Sequence, residues 1–157
     1  MTNFDKGSWS IVSMIKEDTD KINWFITYYL ATDVHEIIIF LDQTDEHQLK
    51  TIVQDSRVSL IHCDLEYWKR LGIEKPKLFT DRQLANLKYA YVNILSSEWV
   101  AHIDCDEYLY SETGISDYLS NVGDDILSVK ILPFERILTN RSGNLYGASE
   151  HLSLIHI

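Results

Sequence analysis

Short, almost wholly apolar segments separated by a helical apolar pattern constrain this chain more than any other feature. Trp9–Ile15 is one such segment, and Glu36–Leu41, with three consecutive isoleucines, is another. A strand with one wet face would alternate apolar and polar residues, so near-continuous runs of this length read as strands covered on both faces. Between them, Ile22, Phe25, Ile26, Tyr29 and Leu30 follow the i, i+3, i+4, i+7, i+8 stripe of an amphipathic helix. Asp20 stands where an N-cap is expected.

The same alternation continues downstream. The Glu36–Leu41 run stops at the polar Asp42-Gln43-Thr44-Asp45, and a short helix is expected over Glu46–Gln54. Val58–Cys63 reads as a third strand. Asp64–Phe79 has no clear period, and Pro76 argues against a continuous helix there. A second long helix is expected from Asp81 to Leu95, with an apolar face of Leu84, Leu87, Tyr91, Ile94 and Leu95. Thr80 and Gln83 have the spacing of a capping box. Trp99–Ile103 is a fourth strand, followed by a helix near Ile115–Leu119 and a strand near Ile126–Leu132. Strands that alternate with helices imply an α/β fold with a mainly parallel sheet and helices on both faces.

Composition narrows the function classes. The chain has 157 residues, enough for one cored domain, and 45% of them are hydrophobic. Its formal net charge is -10, which leaves no footprint for a nucleic-acid backbone but suits cations. The two cysteines, Cys63 and Cys105, have neither zinc-site nor disulfide spacing and read as small buried residues in a reducing compartment. His35, His47, His62 and His102 are scattered and read as structural. No run approaches the ~20 apolar residues that cross a bilayer, and no signal region follows Met1. A cytoplasmic chain, free or at the inner face of the membrane, is therefore the expectation.

In open α/β sheets ligands bind beyond the carboxyl ends of the strands. Three expected strand ends carry acids: Asp18, Asp42, and Asp104 with Asp106. In extended backbone residues i and i+2 share a side, so Asp104 and Asp106 are expected to face one point while Cys105 faces away. Two carboxylates so placed suit Mg²⁺ or Mn²⁺ with open positions for substrate phosphates. By spacing alone, an Asp-x-Asp is equally a solvated acidic turn.

The stretch Trp99-Val100-Ala101-His102-Ile103-Asp104-Cys105-Asp106-Glu107-Tyr108-Leu109 resembles the metal motif of family 2-like glycosyltransferases. That motif reads Trp, four residues, Asp-x-Asp-Glu, Phe or Tyr, Leu. Around it, Lys16 resembles the family's opening lysine, and Trp24 with Tyr28-Tyr29 falls where the family has Glu-Trp and Tyr-His. Asp42 and Asp45 resemble its Asp/Ser-rich loop, and Arg82-Gln83 its basic-Gln pair before a long helix. The chain departs from the family at Glu17-Asp18, in place of Asn-Glu, and at Tyr29, in place of the histidine. The family's acceptor region is not recognisable.

The resemblance implies a GT-A fold, Rossmann-like and here incomplete. It implies transfer of a sugar from a nucleotide-diphosphate donor to a hydroxyl of a glycan or lipid-linked acceptor, with inversion. Asp104 and Asp106 are the expected metal ligands for Mg²⁺ or Mn²⁺. Lys16, Asp42, Asp45, Arg82, Gln83 and Asp104 are the expected donor contacts. Lys16, Asp42, Asp45 and Gln83 each have a plainer reading: solvated lysine, turn residue, Asx-turn or helix cap, and capping-box residue, respectively. Glu107 reads better as a backbone acceptor at the strand end, and Trp24 and Trp99 better as core than as sugar-stacking. Glu135 is the one weak candidate for catalytic base.

The sequence also admits two other readings. One is a metal- or nucleotide-binding fragment without turnover. The other is a haloacid-dehalogenase-type phosphatase, which Glu107-Tyr108 disfavours because Gly-(Thr or Val) is expected there. Finally, Leu152-Ser153-Leu154-Ile155-His156-Ile157 resembles the in-frame translation of a transposon end used in preparing sequencing libraries. Residues 1–151 are therefore expected to be the donor-binding part of one domain, and 152–157 a non-native tail that adds little to the core.

Overall fold

The computed structural model describes residues 4–42 and 49–131, together with the backbone of three short strands beyond them. The apolar runs form the centre of a sheet. Strand β1 (Trp9–Ile15) is buried at all seven positions, and β2 (Glu36–Leu41) at five of six. Strand β3 (Val58–His62) is only partly covered, as suits its place at the sheet edge. Strand β4 (Trp99–His102) lies on the other side of β1. The order β3-β2-β1-β4 is parallel throughout.

Period-two alternation sends each strand's side chains to two separate cores. Trp9, Ile11 and Ile15, with Ile37, Ile39 and Leu41, pack against Ile22, Phe25, Ile26 and Tyr29 of helix α1 (Thr19–Leu30). Val12 and Met14, with Ile38 and Phe40, pack on the opposite face. There they meet Tyr67 and Trp68 of α2 (Leu65–Arg70) and Ala90 of α3 (Phe79–Asn93). A parallel sheet needs cover on both faces, and the two helix layers supply it.

Beyond β4 come helix α4 (Ile115–Ser120) and strand β5 (Ser128–Lys130). Strands β6 (Leu138–Thr139) and β7 (Leu145–Tyr146) pair antiparallel. Strand β8 (Ser153–His156) runs antiparallel between β4 and β5. The tail expected to lie outside the core thus has a backbone place in the sheet. Among the described residues, no helix is long and apolar enough to cross a membrane.

Several expectations need correction. Helix α1 starts one residue before Asp20: Asp18 holds the extended N-cap conformation and Asp20 lies in the first turn, where its charge favours the helix dipole. Trp24 is 74% exposed, because it falls outside the Ile22-Phe25-Ile26-Tyr29 stripe. Trp99 is buried as expected. The unassigned stretch after Cys63 contains α2, capped by the Asp64 side chain, which accepts from the Tyr67 backbone N–H at 2.7 Å.

Helix α3 begins at Phe79 rather than Asp81, and no side chain caps it. Its buried positions are Asn86 and Ala90, while Leu84 and Tyr91 are exposed. The small Ala90 permits close approach to the sheet. Asn86 is satisfied there by the Tyr67 hydroxyl, which donates to its Oδ1 at 2.8 Å, and by a contact to Cys63 Sγ at 3.6 Å. Of the helix expected over Glu46–Gln54, residues 46–48 lie outside the described ones, Leu49 is helical, and 50–54 form turn and irregular backbone instead.

Candidate functional site

Because β1, β2 and β4 are parallel, their carboxyl ends share one edge. The Asp42 amide donates to Ile15 O at 2.9 Å, and the Ile103 amide to Val12 O at 3.3 Å. Asp42 and the segment from Asp104 therefore flank the end of β1, where Lys16 and Glu17 begin. Alternation directs Phe40 and Val100 to the α3 face, and Asp42 and Asp104 continue those rows. Two consecutive residues of α3 meet them there. Arg82 Nε donates to Asp42 Oδ2 at 3.1 Å, and Gln83 Nε2 donates to Asp104 Oδ1 at 3.2 Å.

Asp42 is fully buried. Lys75 Nζ lies 2.8 Å from its Oδ1, and Arg82 Nη2 lies 3.0 Å from its Oδ2. Arg82 also donates to the carbonyls of Pro76 and Lys77 at 3.0 and 2.9 Å. A buried carboxylate must be paired, and this one is paired twice. Asp42 and Arg82, expected to touch a donor, are engaged with each other. They fasten the loop before α3 to the end of β2.

The acidic segment is a turn rather than extended strand. Strand β4 ends at His102, and the Glu107 amide donates back to Asp104 O at 3.0 Å. The Glu107 side chain reaches the other way, its Oε2 accepting from the Asp104 amide at 3.0 Å. Glu107 thus bonds backbone, as the sequence reading favoured. Cys105 packs against the core on the α1 face, whereas Asp104 is held from the α3 face by Gln83, so these two neighbours point apart as expected. Asp104, Cys105 and Asp106 nevertheless all contribute to the lining of one cleft.

That cleft has a volume of about 340 Å³. Besides the turn, Lys16, Glu17, Lys21 and Phe79 contribute to its lining. Lys21 is held by Glu17 at 2.8 Å, and this bond raises its pKa above the usual lysine value. Burial pushes the Cys105 thiol up to about 11, with the nearby Glu17 and Asp106 carboxylates acting in the same direction. It is therefore a neutral thiol at pH 7, not a nucleophile. Burial also lowers the pKa of His102, and Asp104 opposes that shift. A larger hollow of about 670 Å³ lies along α4 and β5, and it holds none of the residues marked by the sequence.

The structure brings Lys16, Gln83, Asp104 and Asp106 together, places Asp42 and Arg82 just behind them, and leaves Asp45 and Glu135 outside the described residues. Asp106 is exposed and makes no hydrogen bond or ion pair among the described residues. Two carboxylates with free oxygens fit a hard divalent cation. Among the described residues, no group of three or more His, Cys, Asp or Glu is arranged to hold a metal. A cation here would need oxygens from a ligand to complete its shell. Sequence reasoning missed Lys21, although its i, i+4 spacing from Glu17 was a visible signal. It also missed Lys75, which no local pattern marks.

The structure defines an α/β domain with a parallel four-stranded core and an acidic, lysine-flanked cleft at its carboxyl edge. No family model matches the chain, and a search of curated proteins finds no match either.

Proposed function

We propose that the chain is the donor-binding part of a metal-dependent glycosyltransferase with a GT-A fold. It would move a sugar from a nucleotide-diphosphate donor to a hydroxyl of a glycan or lipid-linked acceptor, in the cytoplasm or at the inner face of a membrane. One observation carries the reading: Asp104 and Asp106 share a cleft with Lys16 and Lys21 at the carboxyl edge of a parallel sheet. Paired carboxylates beside two ammonium groups suit a ligand that is itself an anion carrying a divalent cation.

Asp104 and Asp106 would hold Mg²⁺ or Mn²⁺. When bound, the cation supplies Lewis-acid stabilisation of charge on the leaving nucleoside diphosphate. Lys16 and Lys21 offset phosphate charge in a chain whose net charge of -10 otherwise repels an anionic donor. Gln83 keeps one Asp104 oxygen oriented, leaving the other for the metal. The Asp42–Arg82 pair supports Gln83 from behind. An inverting displacement also needs a base for the acceptor hydroxyl, and Glu135 remains the proposed candidate.

The test is calorimetry with nucleoside diphosphates, with Mn²⁺ or with chelator, on the wild type and on Asp106→Asn. Binding should require Mn²⁺ and weaken by about 1–3 kcal/mol in the variant, the scale of a lost charged contact. Equal binding in all four conditions overturns the proposal. Binding without hydrolysis of a sugar donor favours a binding fragment without turnover.

A further inference from the structure

The acidic turn has no regular secondary structure of its own to hold it, yet it is held firmly at its far end. Tyr29, fully buried on α1, places its hydroxyl between two backbone groups of the segment that follows the turn. The hydroxyl donates to Glu107 O at 2.9 Å and accepts from the Leu109 amide at 2.9 Å. Its neighbour Tyr28 donates to Leu109 O at 2.8 Å. Tyr108 lies against both rings, 4.8 Å from Tyr28 edge-on and 6.3 Å from Tyr29 in a stacked arrangement. At the near end, the Glu107 side chain holds the Asp104 amide and Gln83 holds the Asp104 carboxylate.

Glu107 is the common member. Its carbonyl is fixed by Tyr29 and its carboxylate fixes Asp104, so a shift of the Glu107 backbone is passed to the first acidic residue. The Tyr29 hydroxyl is buried and satisfied in both directions. Burial drives its pKa above the usual tyrosine value, so it remains a neutral donor and acceptor at any ordinary pH. A phenylalanine in its place would fill the same space but leave Glu107 O and the Leu109 amide without this partner.

We propose that Tyr29 is a positioning residue for the acidic turn, and that cation affinity at Asp104 and Asp106 depends on its hydroxyl. This rests on the donor-site reading above. It goes beyond that reading by assigning part of the site's affinity to a residue on α1 that never reaches the cleft. Groups that orient metal ligands from behind typically account for about 10–100-fold in affinity.

The experiment measures protein-bound Mn²⁺ in the presence of a nucleoside diphosphate, by electron paramagnetic resonance, on three versions of this chain: wild type, Tyr29→Phe and Tyr67→Phe. Tyr67 is the control. It is also a buried tyrosine with a hydrogen-bonded hydroxyl, but its bond goes to Asn86 on the opposite face of the sheet. Tyr29→Phe should weaken Mn²⁺ binding by about tenfold or more, while Tyr67→Phe, whatever it costs in stability, should leave binding unchanged. Hydrogen exchange should show faster exchange at the Leu109 amide in Tyr29→Phe alone. Equal Mn²⁺ affinity in wild type and Tyr29→Phe overturns this inference and leaves the donor-site reading standing. A matching loss in Tyr67→Phe also overturns it, since the effect would then be general loosening. A wild type that binds no Mn²⁺ removes the donor-site reading and this inference together.

Discussion

Asp42→Asn is the sharpest perturbation of the site's support. Asparagine keeps the shape of the side chain but removes the charge that two cations share, and it turns an amide N–H₂ toward one of them. Removing one partner from a buried ion pair costs about 3–5 kcal/mol, because the remaining charge stays buried and unpaired. Here the lower part of that range applies. The Lys75 side chain is 24% exposed and can recover some water, and Arg82 keeps the carbonyls of Pro76 and Lys77. A loss of about 3 kcal/mol corresponds to a Tm lowered by about 6–12 °C in a chain of this size.

The assay is urea unfolding followed by circular dichroism, on wild type, Asp42→Asn, Arg82→Met and the double variant. Residues in one buried network should couple, so the double variant should lose about 0.5–3 kcal/mol less than the sum of the singles. The loss should persist at high salt, since buried charges are poorly screened. An Asp42→Asn variant within about 0.5 kcal/mol of wild type, or singles that add fully, would refute the ion cluster as the fastening of this loop. Replacing all three side chains together by apolar ones is a different perturbation, because it leaves no buried charge unpaired.

Two further outcomes are expected. His102 titrates below the usual 6.5 when folded, because burial penalises its charged form; the unfolded chain then binds the extra proton first. Its contribution to stability is therefore present above about pH 6.5 and lost as pH falls toward the lowered folded value. His102→Gln should flatten the fall in urea midpoint between pH 7.5 and 5.5, and an unchanged slope counts against the assignment. Of the four tryptophans, Trp9, Trp68 and Trp99 are at most 2% exposed and Trp24 is 74% exposed. Acrylamide should quench one red-shifted component of the emission, and Trp24→Phe should abolish it; quenching that survives the substitution contradicts the exposure.

Local pattern alone determined the main elements. Strands β1 and β2 were legible to the residue, because a run buried on both faces is almost wholly apolar, here broken only by the small Ser10 and Ser13 and by Glu36 at the start of β2, and α1 was legible from its apolar stripe. The parallel sheet followed from alternation, and with it the shared edge of Asp42 and Asp104. Tertiary structure decided what the side chains at that edge touch. Leu84 and Tyr91 looked like core and are exposed, because the face α3 buries is set by the space left beside Tyr67 and Trp68, where alanine and a bonded asparagine fit. Gln83 matched a capping box and instead reaches Asp104, twenty-one residues away in sequence. Asp104 and Asp106 looked like an extended pair, but the chain turns as soon as it leaves β4, and Glu107 and Tyr29 hold the turn. The Lys75–Asp42 and Tyr29–Glu107 contacts join segments thirty-three and seventy-eight residues apart. Such contacts leave no periodic trace in sequence, since they depend on which strands the fold sets side by side.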